Sequence, residues 1–514
     1  MIVYRRFFHF SSRKVRNAKD SFDLLDRLAK SASSYDNGKL SDYLRNESES
    51  KQIDPLNDVL ARWKTEYLRS PNETLHPQKV LDKVDEWKGL VDSTDVKNSL
   101  QQEVQKELEE FLRPNVKSYT HVIQAVATSI DERSRQQKQA NQNKLHFIDT
   151  LLERLVDQSK TDFSIQPNIS AFSAVMNAWT KINGVKNDTK GISSSSKKVE
   201  GLLLCMEQLH EEGRPNLQPN VVIYNILLNA WAKEREVKKI EDTLQRMIRL
   251  EIPGVSPDSI SYSTLLSAYA KLGTTEAAHK ADSLLHQMLT LYNYGVDTAK
   301  PNVISFSNVI QCHAHSGNGE KAEGWLRKLQ DLFNLHQDPD WKPDVAIYNA
   351  VVQAWVKVGN PEKAEDFLRR MIVDDGKSEN DLDRFVRPNS RTFNIVLSAW
   401  AKIGQAERAE AMLMEMHKLY VEEDFDTRPT VVSYNTVLDS YAQKMNRLMH
   451  VDKRENGSRN RHKSKNNDQG EDAPWNRAEA ILNHMIDLCR GGDLTVKPTA
   501  RTWNTGKFSI EVWI

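Results

Sequence analysis

The sequence predicts an all-α protein, a right-handed α-solenoid of stacked antiparallel helix pairs. Two sequence motifs recur along the chain and indicate this fold class. The first runs Val-Val-Ile-Tyr-Asn, then apolar residues, then Ala-Trp-Ala-Lys, with small variations between copies. The second is Lys/Arg-Ala-Glu-x-x-Leu-x-x-Met, and each copy of the pair closes on Pro and a short polar residue. A period of roughly 35–50 residues is typical of helical arrays in which each repeat packs only against its neighbours.

The array is predicted to cover residues 116–505 as eight repeats and a truncated ninth. Each repeat begins directly after a Pro-Asn, Pro-Asp or Pro-Thr pair. The repeats are 116–168, 169–220, 221–258, 259–302, 303–344, 345–389, 390–430 and 431–499, and the ninth starts at Ala500. Residues 506–514 abandon the pattern and are predicted to be a non-repeat tail.

Helical spacing of apolar residues marks the first helix of each repeat, as in Tyr224, Leu227, Leu228 and Trp231. Five repeats place an alanine before the large aromatic residue, which lets paired helices approach closely. These alanines are Ala178, Ala230, Ala268, Ala354 and Ala399. The second motif marks the second helix of each repeat. We interpret the Met and aromatic stripes as core, and we expect no cofactor and no metal ion.

The turn between the two helices of a repeat carries a glycine in several copies. Gly359-Asn360 and Gly404-Gln405 are the clearest examples. A glycine there predicts a left-handed residue that ends the first helix.

The N-terminal residues 1–19 hold six Lys and Arg but no acid, with aromatic residues and serines between them. This composition is typical of a mitochondrial transit peptide, and Arg6, Phe8 and Ser11 resemble the pattern ahead of matrix processing sites. A disordered basic tail is the alternative. Residues 20–113 do not follow the repeat and are predicted to be a helical cap or a degenerate repeat.

Charge does not identify a partner, because Lys+Arg and Asp+Glu both number 71. Two insertions, Lys186 to Lys198 and Lys444 to Ala473, are predicted to be polar loops. The second is basic, with a net charge of +6 over 444–465, and is interpreted as a solvated loop or an arm that touches phosphate. Three separated cysteines predict reduced thiols, and no apolar run is long enough to span a membrane.

The Pro-Asn or Pro-Asp ending, with Tyr or Phe and a small polar residue early in the first helix, resembles the pentatricopeptide repeat family, P-type. The preference for Trp and the long insertions depart from that family. The resemblance implies single-stranded RNA binding, with one base read per repeat by the fifth and the last residue. The tetratricopeptide type, which binds proteins, usually has shorter units and no fixed polar residue at that place.

The resemblance assigns RNA-binding residues by their place in the repeat. The fifth residues are Thr120, Ser173, Asn225, Ser263, Ser307, Asn349, Asn394, Asn435 and, in the truncated copy, Asn504. The last residues are Asn168, Asn220, Asp258, Asn302, Asp344, Asn389, Thr430 and Thr499. The second residues would flank the base at Val222, Ile260, Ile304 and Val432, or reach phosphate at Lys117, Arg391 and Arg501. Helix capping and ordinary turns are the alternative explanation of these polar residues.

The family's code relates each pair of fifth and last residues to one RNA base. Applied to these pairs, it predicts the RNA sequence AAUAGC followed by two pyrimidines. We therefore expect a sequence-specific protein of the mitochondrial matrix that acts in RNA processing, stability or translation. Its partner would be single-stranded organelle RNA and not DNA. The alternatives are a protein-binding scaffold, which the zero net charge favours, and the RNA-binding part of a nuclease cut short at its C-terminus.

No catalytic residue is expected. The acidic groups at Asp338-Pro339-Asp340, Asp374-Asp375 and Glu422-Glu423-Asp424 fall between repeats and are interpreted as solvated turns. His313 and His315 lie two residues apart on a predicted helix, where side chains diverge, so they are a poor pair of metal ligands.

Overall fold

The computed structural model describes residues 60–61, 63–65, 77, 79–80, 82–83, 116–130, 138–161, 166–182, 194–372, 386–422, 426–455 and 473–503. Within these ranges the regular structure is helical throughout, and the predicted all-α class is confirmed. The predicted transit peptide, most of residues 20–113, Asn504 and the tail from 506 lie outside the described residues. No helix in the described part of the chain has the length and apolar character that a membrane crossing requires.

The helices alternate between the two members of each repeat. The first helices are α1 Val116–Thr128, α3 Ile169–Lys181, α5 Val221–Glu234, α7 Ser259–Leu272, α9 Val303–Ser316, α11 Val345–Val358, α13 Ser390–Ile403 and α15 Val431–Glu455. The second helices are α2 Lys138–Thr161, α4 Ser195–Glu211, α6 Val237–Leu250, α8 Thr275–Asn293, α10 Gly319–His336, α12 Pro361–Ile372, α14 Ala406–Glu422 and α16 Pro474–Arg490. Each first helix begins at the residue where the sequence pattern starts a repeat.

The chain divides into two compact bodies, residues 1–257 and 258–514. In the N-terminal body α1 packs against α3 and α3 against α5. In the C-terminal body α7, α9, α11, α13 and α15 pack in succession, and α10 contacts both α9 and α11. Each body is therefore a solenoid in which the first helices stack on one another and the second helices bridge consecutive first helices.

The predicted core stripe is confirmed, since Tyr224, Leu227, Leu228 and Trp231 are all buried. The five small residues before the large aromatics are buried as well. Cys312 lies in the core, where burial raises the pKa of its thiol to about 12.

Glycine ends several first helices in the predicted way. Gly359 and Gly404 have φ angles of 84° and 81°, in the left-handed region. A side chain at such a position is strained, so glycine is favoured there. The adjacent Asn360 then accepts a hydrogen bond from the backbone N–H of Lys363 (3.0 Å) and starts α12.

The glutamate of the second motif links consecutive repeats. Glu323 on α10 accepts a hydrogen bond from Trp355 Nε1 (3.2 Å) and one from Arg370 (2.9 Å), both in the next repeat. Glu410 on α14 likewise accepts from Tyr441 and Arg477. A buried indole N–H needs an acceptor, so these contacts give the large aromatic residue its place between repeats.

Three lysines at the end of the first motif bind the C-terminal end of the first helix of the preceding repeat. Lys181 donates to the carbonyl oxygen of Ala127 (2.9 Å) and Lys233 to that of Thr180 (2.8 Å). Lys357 makes the corresponding contact with His315. Positive charge is favourable at a helix C-terminus, where carbonyl groups lack partners.

The two insertions are shorter than predicted. Helix α15 continues through residues 444–455, which contain no Gly or Pro to stop it. Helix α4 begins at Ser195, inside the serine run, because the Glu234 carboxylate accepts hydrogen bonds from the Ser196 N–H and from two serine hydroxyls. Residues 183–193 and 456–472 lie outside the described ranges.

The turn at Asp338 and Asp340 is also more ordered than predicted. It forms part of a 3-10 helix from Pro339 to Trp341. Lys300 donates to both carboxylates, at 2.6 Å and 2.9 Å, and lies over the Trp341 ring. These acids therefore join two repeats. Asp374, Asp375, Glu423 and Asp424 lie outside the described residues.

Candidate nucleic-acid interface

The last residue of each repeat lies at the N-terminus of the next first helix. In six repeats its Oδ1 accepts a hydrogen bond from the backbone N–H three residues on, at 2.9–3.2 Å. These residues are Asn168, Asn220, Asp258, Asn302, Asp344 and Asn389. Helix capping is therefore one of their roles. The cap uses an oxygen that Asn and Asp share, and the second side-chain atom is a donor in Asn but an acceptor in Asp.

Thr430 and Thr499 hold the same place in the last two complete repeats. The backbone N–H of Thr430 donates to the Ser433 hydroxyl (3.0 Å), and that of Thr499 donates to the Thr502 hydroxyl (3.0 Å). The hydroxyl of the third residue of the next repeat thus completes the helix start.

The fifth residues lie in the first turn of each first helix, and three of them contact the start of the next one. Thr120 Oγ1 lies 3.4 Å from Asn168 Oδ1, Ser263 contacts the Ser305 hydroxyl (2.9 Å), and Thr502 donates to Asn435 Oδ1 (2.7 Å). Thr120, Asn349 and Asn435 are buried, whereas Ser173, Asn225, Ser263, Ser307 and Asn394 are half-buried. In these three repeats the fifth residue is therefore placed beside the start of the next first helix, and we call this place the seam between repeats.

Two of the fifth residues hold a buried oxygen that lacks a partner. Oδ1 of Asn349 and Oδ1 of Asn394 accept no hydrogen bond. A buried polar atom without a partner costs about 1–3 kcal/mol. Native proteins satisfy nearly all such atoms through protein, water or ligand. The same unmet requirement occurs at the fifth residue of two successive repeats.

The second residues are exposed in every complete repeat of the array. Four of them are branched apolar side chains, and their exposed fractions are 54% for Val222, 63% for Ile260, 60% for Ile304 and 61% for Val432. Among the basic second residues, Lys117, Arg391 and Arg501 are exposed, and Arg501 pairs with Asp439 (2.7 Å). A single exposed apolar residue needs no explanation, but its recurrence at one repeat position indicates a contact surface.

The two histidines are held apart, in agreement with their poor spacing. His313 Nε2 bonds the Asp282 carboxylate (2.6 Å), and His315 Nδ1 bonds the carbonyl oxygen of Ala270 (2.7 Å). Within the described residues, His, Cys, Asp and Glu do not form a group of three or more that could hold a metal ion.

Family models match the chain between residues 219 and 444. A model described as "PPR repeat family" matches 219–271, and one described as "Pentatricopeptide repeat domain" matches 380–444. A third, described as "PPR repeat", matches 260–291, 304–332 and 346–375.

The chain is also similar to curated proteins of Arabidopsis thaliana. A pentatricopeptide repeat-containing protein is 22% identical over 227 residues, which is 43% of this chain and 37% of the relative. Another, whose name carries the word chloroplastic, is 28% identical over 137 residues, or 27% of this chain and 24% of the relative. The chain therefore spans well under half the length of these relatives.

Solved structures that match the chain include the pentatricopeptide repeat protein PPR10 from maize. It is 17% identical, with a TM-score of 0.31 over 96% of this chain and 61% of that chain. Yeast Rmd9p in complex with a 16-nt target RNA is 12% identical, with a TM-score of 0.33 over 89% of this chain and 84% of that one.

Proposed function

We propose that this chain, which carries pentatricopeptide repeats between residues 219 and 444, binds single-stranded RNA and reads its sequence at the seams between repeats. Within each of the two bodies, a seam would bring together one short polar side chain from a first turn, one from a helix cap and an exposed second residue. A base would lie against the second residue while its Watson–Crick edge meets the two polar groups.

The observation that carries the proposal is the repeated seam, where Thr120, Ser263 and Asn435 contact the start of the next first helix. In two other repeats, Oδ1 of Asn349 and Oδ1 of Asn394 have no hydrogen-bond partner. An amino group on a base edge is a donor of the kind that they require. At the first of these seams, Oδ1 of Asn389 accepts the backbone N–H groups of Arg391 and Thr392, so its Nδ2 is the atom left to face a ligand. Cytosine, like adenine, has an amino donor beside a ring-nitrogen acceptor, which fits Asn349 and Asn389 in turn, and the family code assigns this pair to cytosine.

A single substitution tests the reading at this seam. Asn349 and Asn389 are assigned to C, whereas Ser263 and Asn302 are assigned to A, so Asn349→Ser should convert the first pair into the second. Filter binding of the full chain should show preference for C at the sixth base of AAUAGC, and preference for A in the variant. By analogy with protein–DNA mismatches, a wrong base costs about 1–3 kcal/mol, or roughly 5- to 150-fold in affinity.

The control repeats the same exchange at a cap away from the seam. Asn360 starts the second helix α12, where serine is also a good cap. Asn360→Ser should leave the preference for C unchanged. If Asn349→Ser also keeps C, then these residues do not read the base.

A protein-binding scaffold is the second candidate, and the equal numbers of acidic and basic residues favour it. A scaffold gives the same affinity, or none, for AAUAGC-containing and scrambled RNA. In either role the residues at the seams would act by binding, without catalysis.

The RNA would be a mitochondrial transcript, and the role its processing, stability or translation. The support is the acid-free, arginine-rich composition of residues 1–19. A relative whose name carries the word chloroplastic is also assigned to an organelle. Imaging of a C-terminally tagged chain, with and without residues 1–19, tests the location.

A further inference from the structure

We propose that Ser305 is a positioning residue that fixes which hydrogen-bonding atoms Ser263 and Asn302 offer to an RNA base. Ser305 is the third residue of the repeat that follows this pair. The inference rests on the proposed function, because it concerns the seam where those two side chains would read a base.

The Ser305 hydroxyl connects both members of the pair. It is fully buried, and its Oγ lies 2.9 Å from Ser263 Oγ and 3.2 Å from Asn302 Oδ1. The backbone N–H of Ser305 also donates to Asn302 Oδ1 (3.0 Å). Because a carbonyl oxygen only accepts, these contacts fix the orientation of the Asn302 amide and direct its Nδ2 away from the cap.

The direction of the hydrogen bonds follows from the single proton of Ser305. We assign that proton to Asn302 Oδ1, so that Ser263 donates to the Ser305 oxygen in the 2.9 Å contact. Ser263 then has its own proton engaged and offers lone pairs to a ligand. The seam therefore presents an acceptor from the fifth residue and a donor from the last residue.

A second seam has the same three positions in the opposite order. Thr502 donates to Asn435 Oδ1 (2.7 Å) and lies 3.1 Å from the Thr499 hydroxyl. Its proton is used by Asn435, so Thr499 donates to Thr502. Here the fifth residue offers its Nδ2, a donor, and the last residue offers an acceptor.

Reversing the order of donor and acceptor at a seam reverses the class of base that the seam would bind. Adenine and cytosine carry an amino donor beside a ring-nitrogen acceptor, whereas uracil and guanine carry a carbonyl acceptor beside an N–H donor. Since Ser263 and Asn302 are assigned to adenine, Asn435 and Thr499 should read a base with a ring N–H donor beside a carbonyl acceptor, which cytosine lacks. Their assignment to a pyrimidine then becomes uracil.

Thr392 provides a matched control, because it holds the same repeat position without contacting a fifth residue. It donates to Asn389 Oδ1 (3.1 Å), while Asn349 Oδ1 has no partner. Thr392→Ala and Ser305→Ala therefore remove the same hydroxyl from a helix start, but only the second breaks the contact with a fifth residue.

The experiment measures the affinity of the full chain for AAUAGC-containing RNA with each base at the fourth position. Ser305→Ala should lower the preference for A over the other bases at least fivefold. Ser305→Thr, which keeps the hydroxyl, should retain that preference. Thr392→Ala should retain the preference for C at the sixth base, which is the base assigned to its own seam. Thr502→Ala should lower the preference for U over C at the eighth base.

Two results would overturn the inference separately from the function. If Ser305→Ala selects A as strongly as the wild type does, then Ser263 and Asn302 read the base without being positioned by Ser305. Without RNA, a double-mutant cycle of Ser263→Ala and Ser305→Ala should give shifts in urea midpoint that do not add. Additive shifts would mean that the two hydroxyls do not interact. A wild-type chain with no base preference would instead remove the proposed function, and this inference with it.

Discussion

At the scale of single residues, Asp282 shows how one carboxylate can hold several helices. It accepts hydrogen bonds from His313 (2.6 Å), Trp325 (2.7 Å) and Lys321 (3.0 Å). Burial by itself raises its pKa, but the hydrogen bonds and the charge of His313 outweigh burial and lower the pKa to about 2. The ionised form is therefore stabilised by folding.

We expect Asp282→Asn to destabilise the C-terminal body by about 1–3 kcal/mol at pH 7, because donors lose a charged acceptor. Since the folded pKa is depressed, the contribution of the carboxylate is complete above its ordinary value of about 4 and is lost as the pH falls toward 2. Urea unfolding over this range should show the difference between variant and wild type shrinking in acid.

A neighbouring acid is the control for this prediction. Glu276 lies on the same helix, α8, with its side chain 82% exposed. Glu276→Gln should change the free energy of unfolding by less than about 0.5 kcal/mol. Equal effects of the two substitutions would contradict the assigned role of Asp282.

At the scale of helices, the contact between α10 and α11 depends on glycine at position 319, where a side chain would not fit. A Cβ on Gly319 would lie 2.5 Å from the ring of Trp355. The same ring donates to Glu323 and lies under Lys363, whose Nζ is 4.2 Å from the ring centroid. The large aromatic residue is thus fixed on several sides by neighbouring helices.

Gly319→Ala should therefore destabilise the C-terminal body by about 1–3 kcal/mol through overpacking. Gly324, on the same helix, has no atom within 4 Å of an added Cβ. Gly324→Ala should stabilise by about 0.5–1 kcal/mol, because alanine favours a helix. Thermal unfolding of both variants compares them, and a stabilising Gly319→Ala would mean that Trp355 can move aside.

At the scale of the whole molecule, equal numbers of acidic and basic residues leave no net attraction for RNA. If the chain binds RNA as proposed, specific contacts at the seams would provide most of the affinity. Three second residues are assigned to phosphate, namely Lys117, Arg391 and Arg501. The number of phosphates neutralised should be small.

We expect log K to fall with log salt at a slope of about −2, given about −0.7 per phosphate contact on a single strand. Arg391→Ala should weaken binding to all sequences alike and reduce the slope by about 0.7. Arg490 on α16 is an exposed arginine on a second helix, and Arg490→Ala should leave the slope unchanged. A slope near −6 in the wild type would indicate binding dominated by phosphate contacts.

The sequence by itself determined the array, its repeat boundaries and its helix starts. Capping residues, turn glycines and apolar spacing act within a few residues of one another, so Asn302 before α9 and Gly359 after α11 can be recognised locally. The tertiary structure decided which side chains meet across a seam. Ser263 reaches Ser305, and Trp355 reaches Glu323, only because consecutive repeats stack. Such contacts join residues a whole repeat apart, and their geometry depends on the packing between helices, which periodicity does not specify.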